Sequence, residues 1–331
     1  MRILLIDLYY KRTQIREVNW KTGGSELTRM LLKEYPSSVV IAPGLLTGTR
    51  APTGGRYSIG AVTKNGIHIG NVGGFIGTYI KGYDYSAIVF LKESIGPVTV
   101  EISKDFVSFQ SAFPYLGKGT KEVTESVEKG GIKSIVVGPA GEMGSKLSAV
   151  VAEGMRIVGR GMGEALFRKG IKLLTFEPAV YKFQNERFMK IANEIKTRLK
   201  AVDEGVRVKH PCYGCPIKCV AFDERGKKGN IRVLSELGIP ELDQQEIVDL
   251  ANDKGVDLFA AAYIAKIKMM DIKEVIEAAA SGEDWNEDLP KKVKNDWEDY
   301  LDTIGICASA ATYLSKDLIE RLVKAYMEVV K

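Results

Sequence analysis

The sequence predicts an α+β fold in which a β-rich N-terminal region is followed by a helical C-terminal region. Short apolar runs rich in β-branched residues alternate with glycine-rich loops as far as Pro178, and after it apolar residues recur at helical spacing. We therefore predict two domains, residues 1–178 and residues 179–331. The composition, 45% hydrophobic and 27% charged residues, is that of a globular chain with a full core.

Each predicted element has a local cause in the sequence. Strands are expected where β-branched runs are bounded by Gly or Pro, at residues 2–8, 38–42, 67–71, 87–92, 97–103 and 133–137. A helix is expected over residues 25–34, with Ser25 as its N-cap. Helical spacing predicts further helices at residues 184–201, 244–254, 258–270 and 272–280. A last helix is expected after Ser315 as its N-cap, with Leu318, Leu322 and Tyr326 on one face.

All four cysteines fit one iron–sulfur site. Cys212, Cys215 and Cys219 lie in the run Pro-Cys-Tyr-Gly-Cys-Pro-Ile-Lys-Cys, and Cys307 ends the segment Asp-Thr-Ile-Gly-Ile-Cys. Three thiolates in one short loop and a distant fourth can hold a 4Fe–4S cubane cluster. The sequence therefore predicts a chain that carries electrons.

Other uses of four cysteines stay open on spacing alone. A structural zinc site usually takes its cysteines as two C-x2-C pairs, whereas the spacing here is two residues, then three, then a long gap. Disulfides are disfavoured because no signal peptide is recognised and a chain of 331 residues does not need them to fold. Four unrelated buried thiols are the remaining alternative.

The charge and hydropathy patterns argue against nucleic-acid and membrane partners. Lys and Arg number 47 against 42 Asp and Glu, a mild excess that is not clustered and is compatible with an acidic protein partner. No apolar stretch has membrane-spanning length, since even residues 258–270 are interrupted by Lys266 and Lys268. We expect a cytoplasmic protein.

Glycine-rich loops in the first half predict a large anionic ligand. They lie at residues 42–49, 51–57, 71–77, 138–142 and 159–163. Glycine lets backbone N–H groups approach a ligand closely, and an adjacent arginine can add a bidentate contact. None of the loops is a Walker A or G-x-G-x-x-G sequence, and any one alone is more often an ordinary tight turn. Their number in one β-rich region favours ligand binding.

These loops and the cysteines form a series of motifs along the chain. The series is Ala-Pro-Thr-Gly-Gly-Arg-Tyr at 51–57, Asn-x-Gly-Gly-x-x-Gly at 71–77, Gly-Pro-Ala-Gly-Glu at 138–142, Gly-Arg-Gly at 159–161, the cysteine run, and Asp-x-x-Gly-x-Cys at 302–307. Its motifs and their order resemble the tungsten-containing aldehyde ferredoxin oxidoreductase family. The resemblance is close over residues 38–172, 211–219 and 302–307.

The resemblance implies cofactors, a partner and site residues. It implies a tungsten (or molybdenum) bis-pterin on a β-rich base domain, a 4Fe–4S cluster in the helical domain, and ferredoxin as electron acceptor. Arg56 would lie between a pterin and the cluster. The residues that correspond to the Gly-Gly-Arg motif and to first-pterin contacts are Gly54, Gly55, Arg56, Asn71, Gly73, Gly74 and Arg160. Those that correspond to second-pterin motifs are Asp257, Asp302 and Ile306.

The sequence departs from the family pattern where proton transfer is expected. The chain has only His68 and His210, and neither corresponds to the family's proton-transfer histidine. The position of the family's catalytic glutamate falls near Lys227 or Lys228, and Glu224 and Glu236 lie on either side of it without matching. Family members are longer, and most of their helical cover before the last cysteine has no counterpart here. The catalytic residues are therefore left unassigned.

Three hypotheses about function follow. The first is an oxidoreductase that passes electrons from an aldehyde-like substrate through a tungsto- or molybdopterin and a 4Fe–4S cluster to ferredoxin. The second is a partner-dependent or non-catalytic relative, with an open pterin cleft that a second subunit covers. The third is a zinc- or cluster-stabilised binding protein without pterin.

Overall fold

The computed structural model describes residues 1–64, 66–200, 212–217, 234–235, 237–283, 285, 289 and 294–330. Two six-stranded sheets occupy its N-terminal part. Their strands are β1 (Arg2–Asp7), β2 (Arg12–Glu17), β3 (Val39–Pro43), β4 (Arg56–Thr63), β5 (Gly66–Gly73), β6 (Ala87–Leu91), β7 (Val98–Ile102), β8 (Val107–Ser111), β9 (Lys133–Val137), β10 (Val150–Ala152), β11 (Arg156–Val158) and β12 (Ile171–Phe176).

Both sheets are mixed. The first has the strand order β2-β1-β6-β3-β4-β5, and the second has the order β11-β10-β9-β12-β7-β8. Neighbouring strands are antiparallel except in the pairs β1–β6 and β7–β12, which are parallel. β1 is an inner strand of the first sheet and is buried on both faces, which explains its continuous apolar run. Its Leu4 and Ile6 enter a core shared by both sheets, and Ile3 and Leu5 face a separate core.

Helices cover the sheets and form most of the C-terminal part. They are α1 (Gly24–Glu34), α2 (Ile76–Gly82), α3 (Thr120–Val127), α4 (Pro139–Glu142), α5 (Met162–Arg168), α6 (Glu186–Lys200), α7 (Glu241–Lys254), α8 (Leu258–Lys268), α9 (Ile272–Ala280), α10 (Asp296–Ile304), α11 (Ala308–Ala311) and α12 (Lys316–Met327). None of the helices in the described residues is long and apolar enough to cross a membrane.

The helices bury their apolar faces in distinct cores. Leu27, Leu31 and Leu32 of α1 cover the outer face of the first sheet. Helices α6, α10 and α12 share one core, which also contains Leu46 from the loop after β3. Helices α7, α8 and α9 form another core against the loops near α4. The second half is therefore two helical groups, each attached to loops of the β region.

The predicted fold class is confirmed: a β-rich N-terminal region precedes a helical one. All the predicted strands exist, with ends shifted by at most two residues, and Ser315 is the N-cap of α12, accepting from Leu318 N. The helix predicted to end at residue 270 ends at Lys268, because Met269 has a left-handed backbone. The domain boundary at residue 178 stays a prediction.

The predicted N-cap of α1 is wrong. The helix begins at Gly24, with Gly23 as its N-cap, and Ser25 lies inside the first turn. The Ser25 hydroxyl contacts Asp299 and Thr303 of α10 instead of a backbone N–H of its own helix. A tertiary contact with a distant helix therefore takes the side chain that local sequence assigned to a cap.

The C-terminal end of α10 and the Gly305 that follows it lie directly on the loop after β3. Leu45 N donates to Thr303 O at 3.1 Å, and Leu46 N donates to Ile304 O at 2.8 Å. The approach requires two glycines: a Cβ on Gly44 would collide with the backbone of Gly305, and Gly305 itself has a φ of +83°. This contact brings the C-terminal helices to the β region.

We expect Gly44→Ala to destabilise the protein by about 1–3 kcal/mol, because an added methyl must push two backbones apart. Gly96→Ala is the matched control, since a Cβ at Gly96 meets nothing within 4 Å. Urea unfolding of both variants measures the difference. Equal midpoints for Gly44→Ala and the wild type would show that the two segments separate without cost.

Candidate functional site

Arg56 joins the first sheet to the C-terminal segment. It is the first residue of β4, opposite Gly73 of β5. Its Nε donates to Asn71 Oδ1, and its Nη2 donates to the Asn71 carbonyl at 3.1 Å. Its Nη1 lies 3.9 Å from Cys307 Sγ, as a hydrogen-bond donor to the thiol. One guanidinium group therefore contacts both a glycine-motif residue and a predicted cluster ligand.

The cysteine loop at residues 212–217 packs on the glycine motifs. Tyr213 N donates to Gly74 O at 3.4 Å, and Thr53 N donates to Gly214 O at 3.3 Å. A Cβ at Gly73 would lie 2.6 Å from Cys212 Sγ, which leaves no space for a side chain there. Gly73 therefore makes room for the sulfur, whatever else it contacts.

The surroundings of Cys212 are buried and cationic. Burial raises the pKa of Cys212 to about 12, while Arg156 and Arg56 act in the opposite direction. Cys307 and Cys215 are near enough to add repulsion between thiolates. A metal centre deprotonates its thiol ligands, so the two guanidinium groups would then face negative charge. The cysteine thiols and the two neighbouring guanidinium groups are therefore suited to an anionic cluster.

A second group of charged residues lies at the other end of β5. Arg160 Nε is 3.5 Å from Asp257 Oδ2, and Asp257 Oδ1 also accepts from Ala260 N at 3.0 Å as the N-cap of α8. Lys294 forms an ion pair with Asp302, whose side chain is 7% exposed. His68 of β5 lies near enough to Arg160, Asp257 and Lys294 for their charges to shift its pKa.

The predicted pterin residues thus divide between two neighbouring regions. Gly55, Arg56, Asn71, Gly73 and Gly74 lie around Cys212 and Cys307. The second region has Arg160 and Asp257 in one ion pair and Asp302 in another. His68 and Asn71 are three residues apart in β5, so their side chains point to opposite faces of the first sheet.

Two predicted residues have other visible roles. Gly54 closes a tight turn in which its N donates to Ala51 O at 3.0 Å. The side chain of Ile306 is buried in the core shared by α6, α10 and α12. Any contact of Ile306 with a cofactor would therefore go through its backbone.

Several sequence-based assignments fall outside the described residues. They are Cys219, His210, Lys227 and Lys228, with the flanking Glu224 and Glu236. Among the residues that are described, no group of three His, Cys, Asp or Glu side chains could hold a single metal ion. Of the four predicted cluster ligands, the described residues include three, Cys212, Cys215 and Cys307.

Sequence reasoning missed Glu153, Arg156 and Lys294. Arg156 lies near enough to Cys212 for its charge to act on the pKa of the thiol, and Glu153 pairs with Arg156 at 2.9 Å. An acid and a base three residues apart, just before the Gly-Arg-Gly motif at 159–161, were the available signal. No local signal pointed to Lys294, because its partner Asp302 lies eight residues further on, near the end of α10.

We expect His68 to be neutral in the folded protein near pH 6.5. Burial lowers its pKa, Arg160 and Lys294 lower it further, and Asp257 opposes them. The unfolded chain then binds the extra proton, so stability should fall as the pH drops below about 6.5. Urea midpoints between pH 8 and pH 5 should fall less for His68→Gln than for the wild type. An NMR titration that places the His68 pKa above 6.5 would contradict this.

The N-terminal part of the chain matches a known protein family. The sequence pattern of the family "Aldehyde ferredoxin oxidoreductase, N-terminal domain" matches residues 3–178. The chain belongs to this family. The resemblance inferred from the motif series is thereby confirmed.

Relatives and a solved structure agree with this assignment. The tungsten-containing aldehyde ferredoxin oxidoreductase of Pyrococcus furiosus is 31% identical over 217 residues, which are 60% of this chain and 35% of that protein. The protein of the same name from Thermococcus kodakarensis is 33% identical over 201 residues, 57% of this chain and 33% of that protein. The chain therefore spans about a third of the length of these curated relatives.

The fold also resembles a chain of the active-site complex BamBC of benzoyl coenzyme A reductase, solved with 1,5-dienoyl-CoA. The TM-score is 0.71 at 16% identity, and the match covers 97% of this chain and 64% of that one. At this identity the likeness concerns the fold alone. It extends across the helical region as well as the two sheets.

Proposed function

We propose that the chain is the pterin- and cluster-binding part of an oxidoreductase that passes electrons from an aldehyde-like substrate to ferredoxin. The observation that carries the proposal is the contact of Arg56 with both Asn71 and Cys307. The motif resemblance implies a pterin beside Asn71 and a cluster at Cys307, and this supports the proposal. One side chain that touches both residues is suited to hold the two cofactors in fixed relative positions.

The described residues have the chemistry to hold both groups. Cys212, Cys215 and Cys307, with Cys219, would hold the 4Fe–4S cluster. Arg56 and Arg160 would bind anionic parts of the tungsto- or molybdopterin, and Asp257 and Asp302 would accept hydrogen bonds from its N–H groups. When bound, the pterin metal supplies oxidation of the substrate and the cluster supplies single-electron transfer.

The protein's own contribution is positioning and exclusion of water. Asn71 fixes the Arg56 guanidinium from two directions, so its remaining Nη1 points to Cys307 in one orientation. The backbone hydrogen bonds from Leu45 and Leu46 to residues 303 and 304 hold the segment that carries Asp302 and Cys307 against the loop after β3. Preorganised donors of this kind bind a charged group without reorganisation cost.

Metal and iron analysis of anaerobically purified protein tests the proposal. We expect brown protein with about four irons per chain, a 4Fe–4S spectrum by EPR after reduction, and tungsten or molybdenum in proportion to bound pterin. Colourless protein with one zinc per chain would overturn the proposal in favour of a zinc-stabilised binding protein.

A partner-dependent enzyme is the second candidate. The solved structure that its fold resembles is an active-site complex, BamBC. No counterpart of the family's proton-transfer histidine occurs in the sequence. Positioned acid–base catalysis is typically worth about 10²–10⁴-fold, so a chain without that group should turn over slowly.

Ferredoxin reduction by simple aldehydes, with and without added partner chain, separates the two candidates. For a partner-dependent enzyme we expect slow reduction by the loaded chain alone and faster reduction once the partner covers the pterin cleft. Rapid turnover by the isolated chain would eliminate partner dependence and make Glu224 and Glu236 the first residues to examine by substitution.

A further inference from the structure

A buried ion pair lies near Cys212. Arg156 Nη1 donates to Glu153 Oε2 at 2.9 Å, and their side chains are only 3% and 2% exposed. The pair spans the turn between β10 and β11, where Glu153 has a φ of +52° and Gly154 a φ of +71°. It belongs to none of the motifs that define the family resemblance.

Backbone groups fix the glutamate of this pair. Glu153 Oε1 accepts from Phe75 N at 2.6 Å and from Ile76 N at 3.2 Å, at the start of α2. A Cβ on Gly74 would collide with the same carboxylate. Because Gly74 O also accepts from Tyr213 N, the carboxylate and the cysteine loop lie on the two sides of one glycine.

The arginine of the pair faces the predicted cluster ligand. Burial opposes the charge of Arg156, but Glu153 and Cys212 favour it, and the net effect raises the pKa of Arg156. Adjacent glycines place the pair next to the cysteine loop, because a Cβ at Gly73 would lie 2.6 Å from Cys212 Sγ and a Cβ at Gly74 would collide with Glu153 Oε1. The buried guanidinium and its carboxylate partner therefore lie close to the predicted cluster ligand.

The fold accounts for the glutamate, which accepts from two backbone N–H groups of α2, but not for the charge of Arg156. Burying two charges usually costs about as much as their attraction returns. A cation beside a cluster ligand favours the reduced, more negative state of the cluster, and a carboxylate behind it weakens that effect. Hydrogen bonds to the sulfurs and nearby charge are among the factors that set iron–sulfur potentials.

We propose that Arg156 and Glu153 are positioning residues that set the reduction potential of the cluster held through Cys212. Arg156 raises the potential, and Glu153 limits that rise. The inference rests on the proposed cluster and assigns its electronic tuning to a residue pair outside the cysteine and pterin motifs.

The structure offers a matched control for charge. The pair forms part of the wall of a cleft of about 660 Å³, which Glu125 of α3 also lines. Glu125 is exposed. Water screens an exposed charge far more than a buried one. Glu125→Gln makes the same change in charge as Glu153→Gln, and should leave the potential where it is.

EPR-monitored redox titration of the anaerobically purified chain tests the proposal. At a fixed ambient potential, Arg156→Gln should raise the ratio of oxidised to reduced cluster by at least about tenfold, a downward shift of about 59 mV for one electron. Glu153→Gln should shift the potential upward, since glutamine keeps the acceptor oxygen for the backbone but loses the charge. The double variant should return towards the wild type, and Arg156→Lys should retain most of the wild-type potential.

The signs of the shifts decide the outcome. Shifts of the same sign in both single variants, or no shift while iron content is intact, would overturn the proposal. If Arg156→Gln assembles no cluster, Glu153→Gln and Arg156→Lys still decide it. A wild-type chain without a cluster would overturn the proposed function together with this inference, whereas a wild-type cluster with unmoved potentials would overturn the inference alone.

Discussion

Cys307→Ser should remove most of the iron from the protein while leaving its helices folded. A serine hydroxyl is a poor ligand for iron compared with a thiolate, so the cubane would lose one of its four anchors. The C-terminal segment should still lie in place, because Leu45 and Leu46 hold it through backbone hydrogen bonds that do not involve the thiol. Iron content, the absorption of the cluster and far-UV circular dichroism measure the two effects separately.

Ala308→Ser is the matched control for this variant. It places a hydroxyl at the next position in the same segment, and Ala308 is half-buried as Cys307 is. We expect it to keep about four irons per chain. If Cys307→Ser binds as much iron as Ala308→Ser, then Cys307 is not a ligand and the cluster has a different fourth anchor.

The sequence predicted the fold best where local pattern and tertiary burial agree. The strand at residues 133–137 has the predicted bounds, because its β-branched run is buried in a sheet centre and ends at a glycine. The strand β12 (Ile171–Phe176) was missed, although it follows Gly170, because only two of its six residues are β-branched. Its place is set by pairing with β7 and β9, which are distant in sequence.

The site was predictable where a motif carries its own geometry. The Gly-Gly-Arg motif fixes where Arg56 lies, because Arg56 begins a strand opposite Gly73. The pairing of Lys294 with Asp302 and of Arg156 with Cys212 depends on how separate elements pack. Short-range sequence patterns hold no record of such packing, so these residues appear only in the folded chain.

Arg56→Gln should slow electron transfer to the cluster without removing it. Arginine reaches Asn71 with two nitrogens and Cys307 with a third, and glutamine can supply neither the charge nor this number of donors. Losing a charge-assisted hydrogen bond costs about 1.5–3 kcal/mol, which corresponds to roughly 10- to 150-fold in rate or affinity. Rapid mixing of loaded protein with substrate, followed by EPR of the reduced cluster, measures the rate.

Two further variants distinguish the geometry of Arg56 from its charge. Arg50 is exposed and lies in the same loop region, so Arg50→Gln removes an equal charge and should leave the rate unchanged. Arg56→Lys keeps the charge, but an ammonium on a single stem cannot hold Asn71 and Cys307 at once, so it should recover only part of the rate. Full recovery by lysine would mean that charge alone matters. An unchanged rate in Arg56→Gln, with normal iron and pterin content, would remove Arg56 from the electron path and leave it a structural link between β5 and the C-terminal segment.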